Sequence, residues 1–270
     1  MNDGGSPDEP GRPRDREIDE ARDVLLRDIF AAQPDRVFYG RQIELLVERR
    51  FFHWITTRAL GELAAEGRIE SRVTELRAGL VVRFYWSRRN RYWRRAAARI
   101  GELVSEYAQD RVGHALGNHG EMMFDAALPK VGFMPRGEDV REWAGHRWEK
   151  TGHDLDRVIE RDGVLYGVEI KNALDYIERD ELVTKVEMCA ELGFRPLFIM
   201  RFAPRNYIEM VRQAGGFTLL FEYQMYPPGY EDLARRLKDE LDLKVGWPPQ
   251  VAQSTLNRFV KWHQGRLGEH

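Results

Sequence analysis

The sequence contains a single cysteine, Cys189, among its 270 residues. A lone thiol forms neither an internal disulfide nor a thiolate zinc site, so both are excluded. Several catalytic motifs are absent as well. There is no Gly-x-x-x-x-Gly-Lys-Ser/Thr phosphate loop, no Gly-x-Ser-x-Gly nucleophile elbow and no His-Glu-x-x-His zinc helix. These absences argue against P-loop nucleotide hydrolysis, serine hydrolase chemistry and zinc proteolysis.

The sequence also lacks a long hydrophobic run and a strong excess of charge. No membrane segment is apparent, and residues 1–16 have glycine, proline and charge in place of the apolar core of a signal peptide. We therefore expect a disordered tail over residues 1–16, a cytoplasmic protein and no membrane partner. The apolar content of 43% is enough for the cores of two ordinary domains. The net charge of −2 argues neither for nor against a nucleic-acid partner.

The most informative segment is GHDLDRVIERDGVLYGVEIKN, which covers residues 152–172. Its Asp162-Gly163 dipeptide favours a tight hairpin turn between two short strands. In the second strand alternate side chains point to opposite faces, so Glu169 and Lys171 share a face and their apolar neighbours share the other. A carboxylate and an ammonium group are thus expected side by side on the sheet.

Asp156 stands at the far end of the first of these strands. The carboxylates of Asp156 and Glu169 could converge on one hard cation such as Mg²⁺, with Mn²⁺ as a substitute, because such ions take oxygen ligands and retain waters. Lys171 would orient or deprotonate the attacking water, or offset charge developing on phosphorus. The alternative is a solvated sheet face, which is what an isolated Glu-x-Lys usually is. The joint pattern predicts a metal site for cutting phosphodiesters.

This pattern resembles the core of the PD-(D/E)xK, or restriction endonuclease-like, nuclease superfamily: an acidic residue on one strand, a turn, and an apolar strand ending in Glu-x-Lys. The upstream segment GNHGEMMFDAALPKVGF, residues 117–133, is similar to the first helix of many members, with its Gly-x-x-Gly-Glu start and closing Gly-Phe. The resemblance implies that Glu121 approaches the metal from this helix and joins Asp156, Glu169 and Lys171 in the catalytic set. It also implies an α/β fold with an αβββαβ core, in which helices flank a central mixed sheet.

Two further residues are auxiliary candidates. Lys185 lies on the helix after the Glu-x-Lys strand, where members of the superfamily often carry a polar residue facing the site; the alternative is a surface lysine. Asp154 shares the strand face of Asp156 and could replace it as a ligand, although the spacing favours Asp156.

The first third of the chain reads as three helices followed by a β-hairpin. The segment TTRALGELAAEGRI, residues 56–69, is similar to the third helix and wing entry of a winged helix-turn-helix domain. That resemblance implies that the third helix enters the DNA major groove. The residues directed towards DNA would be His53, Thr56, Thr57 and Arg58. The alternative is a winged helix used for protein contacts or dimerisation.

Arginines are concentrated just after the hairpin, where Tyr92 and Trp93 are interleaved with them. A local arginine cluster is the electrostatic footprint expected of phosphate contacts, and the alternative is a solvated helix face. The predicted phosphate-binding residues are Arg88, Arg91, Arg94 and Arg95. We interpret residues 88–110 as one basic linker helix.

The predicted organisation is a tail (residues 1–16), a winged-helix domain (17–87), the basic linker helix (88–110), a nuclease domain (111–249) and a C-terminal helix (250–270) whose apolar stripe faces a partner. The predicted function is a metal-dependent endodeoxyribonuclease acting on duplex or branched DNA, in restriction or in structure-specific processing. Because cutting both strands usually needs two active sites, a homodimer is one option. The alternatives are a catalytically silent DNA-binding scaffold and a ribonuclease.

Overall fold

The computed structural model describes residues 13–265, and the chain divides into two units. The N-terminal unit comprises the residues up to Gln109 together with the segment Arg236–Leu243, and the C-terminal unit comprises Asp110–Arg235 and the residues from Lys244 onwards. The predicted tail lies largely outside the described residues. Its last four positions, 13–16, are already helical, because the first helix begins at Pro13, where a proline is tolerated in the first turn.

The N-terminal unit combines helices with a small antiparallel sheet. A π-helical stretch, Leu25–Ala31, continues the first helix, and the sheet has the strand order β1-β3-β2. The elements are α1 (Pro13–Val24), β1 (Val37–Tyr39), α2 (Gly40–Val47), α3 (His53–Ala65), β2 (Glu70–Glu75), β3 (Val81–Trp86) and α4 (Trp93–Tyr107). The core between helices and sheet is built from buried apolar residues that include Leu25, Phe38, Ile43, Leu60 and Tyr85.

The structure corrects the predicted basic linker helix at its start. Helix α4 begins at Trp93, so Arg88 and Arg91 precede it. The reason is Asn90, which is buried: its Nδ2 donates to the carbonyl of Asp35 at 2.8 Å, and its Oδ1 accepts the N–H of Tyr92 at 3.0 Å. An asparagine that bonds its own neighbourhood in this way holds a turn where a helix would otherwise run.

The C-terminal unit is a mixed α/β structure around a central five-stranded sheet of order β10-β9-β8-β7-β4. Strands β4, β7 and β8 pair antiparallel, and β8, β9 and β10 pair parallel. This mixed sheet with helices confirms the α/β part of the predicted fold class. The elements are α5 (Asp110–Ala127), β4 (Met134–Val140), β5 (Glu142–Trp143), β6 (His146–Arg147), β7 (Leu155–Arg161), β8 (Val164–Lys171), α6 (Arg179–Leu192), β9 (Arg195–Met200), α7 (Arg205–Gln213), β10 (Phe217–Leu220), β11 (Gln224–Met225), α8 (Glu231–Leu241), β12 (Val245–Gly246) and α9 (Gln253–His263). The second half of α8, from Arg236, belongs to the N-terminal unit.

The hairpin predicted at Asp162-Gly163 is present between β7 and β8. Both residues have positive φ, 52° and 76°, which is the requirement of a type I′ turn. The turn closes on the pair Arg161↔Val164, and this fixes the register of the two strands down to Arg157↔Val168. The local turn chemistry therefore sets which residues of β7 and β8 lie opposite each other.

Helices cover both faces of the central sheet. Helices α5 and α9 pack on one face, where a cluster includes Phe124, Val168, Ile170 and Phe259. Helices α6 and α7 pack on the other face. The alternation predicted for β8 holds, because Val168 and Ile170 contact the α5 and α9 side. Among residues 13–265, no helix is long and apolar enough to cross a membrane.

One expectation about apolar side chains was wrong. The stripe on the C-terminal helix does not face a partner: Leu256 and Phe259 are buried, and the Phe259 ring stacks on Phe133 with centroids 4.2 Å apart. On α5, Phe124 is buried against the sheet, whereas Met122 is 66% exposed. Two helical residues correspond to a rotation of about 200°, which places Met122 on the opposite side of α5. Residues 266–270 of the predicted C-terminal helix lie outside the described residues.

Candidate functional site

Asp156 is fixed at the place where β7 and β8 stop pairing. The ladder ends at Arg157↔Val168, and just beyond it the Asp156 Oδ2 atom accepts the N–H of Ile170 at 2.6 Å. The Asp156 carboxylate thus accepts a hydrogen bond from the Ile170 N–H beyond the end of the β7–β8 ladder. Burial raises the pKa of Asp156, and it outweighs this backbone hydrogen bond and the nearby Lys185, both of which lower the pKa.

Glu169 is on the face of β8 that α6 covers, and it pairs there with Lys185. The Glu169 Oε2 and Lys185 Nζ atoms are 2.6 Å apart, and the two side chains are only 8% and 5% exposed. Lys185 also donates to the backbone carbonyl of Asp154. The structure therefore brings Lys185 and the Asp154 backbone to Glu169, whereas the Asp154 residue itself is exposed.

Burial and neighbouring charges shift the pKa values of Glu169 and Lys185. Burial raises the pKa of Glu169 to about 7, and the negative charge of Asp156 acts in the same direction. For Lys185, burial alone would lower the pKa, but the neighbouring Glu169 carboxylate raises it above its ordinary value. Two carboxylates with raised pKa values and a single ammonium group leave the site short of positive charge.

Lys171 follows two positions after Glu169 on the same face of β8. Its Nζ lies 4.0 Å from Glu181 Oε2 on α6, and its side chain is 35% exposed. The site thus has two lysines in different settings. Lys185 is buried and paired with Glu169, while Lys171 is partly exposed to solvent.

Glu121 lies on α5, near enough to Asp156 for its negative charge to help raise the pKa of that carboxyl. One guanidinium nitrogen of Arg157, Nη2, lies 3.0 Å from Glu121 Oε2 and 3.0 Å from Asp125 Oδ2. These two carboxylates raise the pKa of Arg157 against the effect of burial. Within residues 13–265, no group of three or more His, Cys, Asp or Glu side chains is arranged to hold a metal ion. Asp156 and Glu169 lie together, and Glu121 is held by Arg157.

Arg157 and Asp125 were missed by the reasoning from sequence. Glu121 and Asp125 are four residues apart on one helix, which places both carboxylates on the same face. Alternation along β7 directs Arg157 away from Asp156 and towards that face. The helical spacing and the strand alternation together are compatible with an ion pair between Arg157 and these carboxylates. They predict it only once α5 is known to pack on this face of the sheet.

The Gly-x-x-Gly-Glu pattern on α5 also has a packing role. The buried Asn172, just after β8, donates from Nδ2 to the carbonyls of Leu116 and Met225 at 2.8 and 2.7 Å, and its Oδ1 accepts the N–H of Met225 at 2.8 Å. Gly120 lies against it: a Cβ added there would be 2.5 Å from the Asn172 Cβ. Glycine at this position therefore lets α5 approach the end of the strand that carries Glu169.

The carboxylate pair fits a hard divalent cation. The Glu169 Oε2 atom is buried and has no hydrogen bond of good geometry, although it is within ion-pair distance of Lys185. Asp156 adds a second carboxylate whose pKa burial has raised. Oxygen atoms that carry excess negative charge in a buried place are the ligands that Mg²⁺ and Mn²⁺ prefer.

The structure sorts the predicted nucleic-acid residues of the N-terminal unit into accessible and inaccessible ones. His53, Thr57 and Arg58 are exposed on α3. Thr56 is fully buried, and its hydroxyl lies 3.4 Å from the carbonyl of Phe52, so its assignment to a DNA contact is corrected. The reason is helical spacing, because Thr56 falls on the core stripe of α3 that also carries Leu60. The predicted phosphate-binding arginines, namely Arg88, Arg91, Arg94 and Arg95, are all exposed.

Comparisons with known proteins do not assign the chain to a family. No protein family matches the sequence, and no curated protein matches it. The chain is similar to a solved structure described as "Structure of EndoMS-dsDNA2 complex", with 13% identity and a TM-score of 0.31 over 56% of this chain. The match covers 60% of the length of that solved chain. A likeness of this size carries no argument, so a function has to be inferred from the residues themselves.

Proposed function

We propose that the C-terminal unit is a metal-dependent endodeoxyribonuclease of the PD-(D/E)xK type. The observation that carries the proposal is the pair formed by the partly buried Asp156 and the buried Glu169 at the end of the β7–β8 ladder, with the partly exposed Lys171 on the same face. Two carboxylates with raised pKa values, next to a solvent-accessible ammonium group, form an arrangement suited to phosphodiester hydrolysis.

In this proposal each residue has one task. Asp156 and Glu169 hold Mg²⁺, or Mn²⁺ in its place, and Glu121 joins them by exchanging its ion pair with Arg157. When bound, the ion supplies charge neutralisation at the phosphate and a water of lowered pKa. Lys171 orients that water or donates to the phosphate oxygen on which charge develops. Lys185 neutralises Glu169 when no ion is present.

DNA binding is assigned, in the same proposal, to the N-terminal unit. The winged-helix interpretation is supported by the element order, with three helices and a β2–β3 hairpin around a three-stranded sheet. His53, Thr57 and Arg58 are accessible on α3, and the arginines flanking the start of α4 supply positive charge for phosphates. Cleavage of both strands would be served by a homodimer.

One observation favours a second candidate, a catalytically silent DNA-binding scaffold. The Lys185 ammonium is already 2.6 Å from Glu169 Oε2. If this ion pair persists in the presence of Mg²⁺, the carboxylate has no free charge for a metal. The protein would then bind DNA without cutting it.

A cleavage assay distinguishes the two candidates. The full chain is incubated with linear, supercoiled and branched DNA and with RNA, in Mg²⁺, in Mn²⁺ or in EDTA. We expect cleavage of DNA that depends on the metal. Lys171→Ala should reduce its rate by about 100-fold or more, because this side chain acts on the water or the transition state. DNA affinity measured in EDTA should be unchanged, since ground-state binding does not require Lys171.

Lys150→Ala is the matched control, because Lys150 is an exposed lysine of the same unit, 3.1 Å from Glu191. It should cut at the rate of the unchanged protein. Equal rates for Lys171→Ala and Lys150→Ala would refute the role of Lys171. Absence of cleavage on every substrate, with DNA binding intact, would favour the silent scaffold, and cleavage of RNA alone would identify a ribonuclease.

A further inference from the structure

The N-terminal unit contains an open cleft of about 540 Å³ between β2, the end of β3 and the start of α4. Its walls include two tryptophans, Trp86 and Trp93, and three arginines, Arg72, Arg88 and Arg91. We call it the Trp–Arg cleft. Its lining includes neither the residues of the carboxylate site nor the exposed residues of α3. The phosphate contacts proposed for Arg88 and Arg91 account for two of its residues and leave its tryptophans without a role.

The two indole rings form a rigid stacked pair. Their centroids are 4.2 Å apart and their planes differ by 12°. Trp86 is buried, whereas Trp93 is only partly buried. The guanidinium carbon of Arg72 lies 5.6 Å from the centroid of the Trp93 ring. The guanidinium carbon of Arg94 lies closer, 4.9 Å from the same centroid, so the Trp93 ring already has one indole and two guanidinium groups around it. Another planar group would stack on Trp93 by displacing one of these guanidinium groups.

The cleft carries more positive than negative charge. Among the residues that the structure describes, neither Arg91 nor Arg72 has an ion-pair partner, and Arg72 makes a cation–π contact with the Trp93 ring. Arg88 is 3.5 Å from Glu70, which also lines the cleft. Three guanidinium groups thus face one carboxylate, and a concave surface with this imbalance attracts an anion.

Aromatic faces next to unpaired arginines match the two parts of a nucleotide. A base has a π-face that stacks on an indole or a guanidinium plane, and its phosphate accepts hydrogen bonds from arginine. Inside a duplex the base faces are covered by their neighbours. Only a nucleotide outside the double helix can therefore use the Trp93 surface.

We propose that the Trp–Arg cleft binds an unpaired nucleotide of a DNA strand, with its base stacked on Trp93 and its phosphate held by Arg88 and Arg91. The inference rests on the proposed function in that DNA is the partner. It goes further by naming the substrate class, because a chain with this cleft prefers DNA that has a single-stranded part over blunt duplex.

The test is equilibrium binding of the full chain in EDTA, where no cleavage occurs, measured by fluorescence anisotropy. The probes are a blunt duplex, the same duplex with a single-stranded tail, and free dTMP as a competitor. We expect the tailed duplex to bind about 10-fold more tightly than the blunt one, which is the size expected for one stacked base. Trp93→Ala should abolish this preference without weakening the binding of blunt duplex, and Trp93→Phe should retain much of it.

Two controls separate stacking from general effects. Trp247→Ala removes a comparably exposed indole of the C-terminal unit that has Arg235 over its ring at 5.8 Å, and it should leave the preference intact. Arg91→Gln should reduce the preference for the tailed duplex, whereas Arg89→Gln, at an exposed neighbour outside the cleft, should not. Because Arg91 is exposed, this variant remains informative even if Trp93→Ala disturbs the fold.

The outcomes distinguish this inference from the proposed nuclease. If tailed and blunt duplexes bind equally and both the Trp93 and the Arg91 variants behave like the unchanged protein, the inference is overturned and the nuclease proposal stands. If dTMP binds saturably while a tail gives no advantage, the cleft takes a free nucleotide and the assignment to a DNA strand is overturned. If no DNA binds at all, both proposals fail.

Discussion

Replacing Lys185 with Met should show how much the candidate site depends on its internal cation. The Lys185 Nζ and Glu169 Oε2 atoms are 2.6 Å apart, with side chains 5% and 8% exposed, so Met would fill the space but leave a buried carboxylate without its partner. Removing one member of a buried ion pair costs about 3–5 kcal/mol, against about 0–1 kcal/mol for an exposed pair. That is a large part of the stability of an ordinary domain, which is about 5–15 kcal/mol.

The cost of this substitution should depend on pH in a defined direction. Burial raises the pKa of Glu169 from 4.5 to about 7, so the folded chain binds this proton more tightly than the unfolded chain does. Such a group lowers the free energy of unfolding as the pH rises from about 4.5 to about 7. Without the ammonium group of Lys185, which lowers this pKa, the loss should extend to higher pH. The variant should therefore be close to the unchanged protein at pH 5 and clearly less stable at pH 8.

Urea unfolding followed by circular dichroism at pH 5 and pH 8 measures this difference. Lys150→Met is the matched control, because Lys150 pairs with Glu191 at 3.1 Å while the two side chains are 58% and 36% exposed. It should cost less than about 1 kcal/mol at both pH values. Adding Mg²⁺ should recover part of the loss in Lys185→Met, since an ion that binds only the folded chain stabilises it. A loss below about 1 kcal/mol at pH 8, or an equal loss at both pH values, would refute the reasoning.

Two other outcomes follow from the packing and from the exposed arginines. Gly120→Ala should destabilise the protein by about 1–3 kcal/mol in urea unfolding, because the new Cβ would lie 2.5 Å from the Asn172 Cβ; unchanged stability would mean that α5 can move away from the strand at no cost. Changing Arg94 and Arg95 to Gln should reduce the slope of log affinity against log salt by about 0.9 for each lost phosphate contact on duplex DNA. An unchanged slope would show that neither side chain contacts phosphate, which would leave Arg94 with its contact to the Trp93 ring.

The elements that local chemistry determines were predictable from the sequence. The Asp162-Gly163 turn needs positive φ at both residues, and few other dipeptides supply it at so low a cost. Once the turn is fixed, strand alternation places Glu169 on the face opposite Val168. The existence of the β7–β8 hairpin therefore followed from a few residues close together in the chain, whereas the mixed α/β sheet was expected from the family resemblance.

The contacts that depend on helix docking were not predictable in the same way. Whether Lys185 faces the site or the solvent depends on how α6 rotates as it packs on the sheet. The ion pair of Glu121 with Arg157 depends likewise on the position of α5. Both are contacts between distant parts of the chain, and no local pattern specifies them.

Thr56 shows a different kind of error, since its burial could have been predicted. Residues Thr56, Leu60 and Leu63 recur at helical spacing along α3, and all three are buried. The resemblance to a recognition helix favoured a DNA contact at this position, although the periodicity favoured the core. When a family pattern and the hydrophobic period disagree about a small polar residue, the period is the better guide.

The segment Arg236–Leu243 gives the protein an unusual connectivity, because the chain leaves the C-terminal unit, contributes the second half of α8 to the N-terminal unit, and returns. Gln42 donates to the carbonyl of Leu241 at 3.0 Å, and Arg99 lies 2.8 Å from Glu240. A protease cut after Gln109 would leave the two fragments associated through this segment. Deleting the N-terminal residues would leave Leu237 and Leu241, which are buried, without the residues that they pack against. The C-terminal unit is therefore best prepared by co-expressing the two pieces as a split protein.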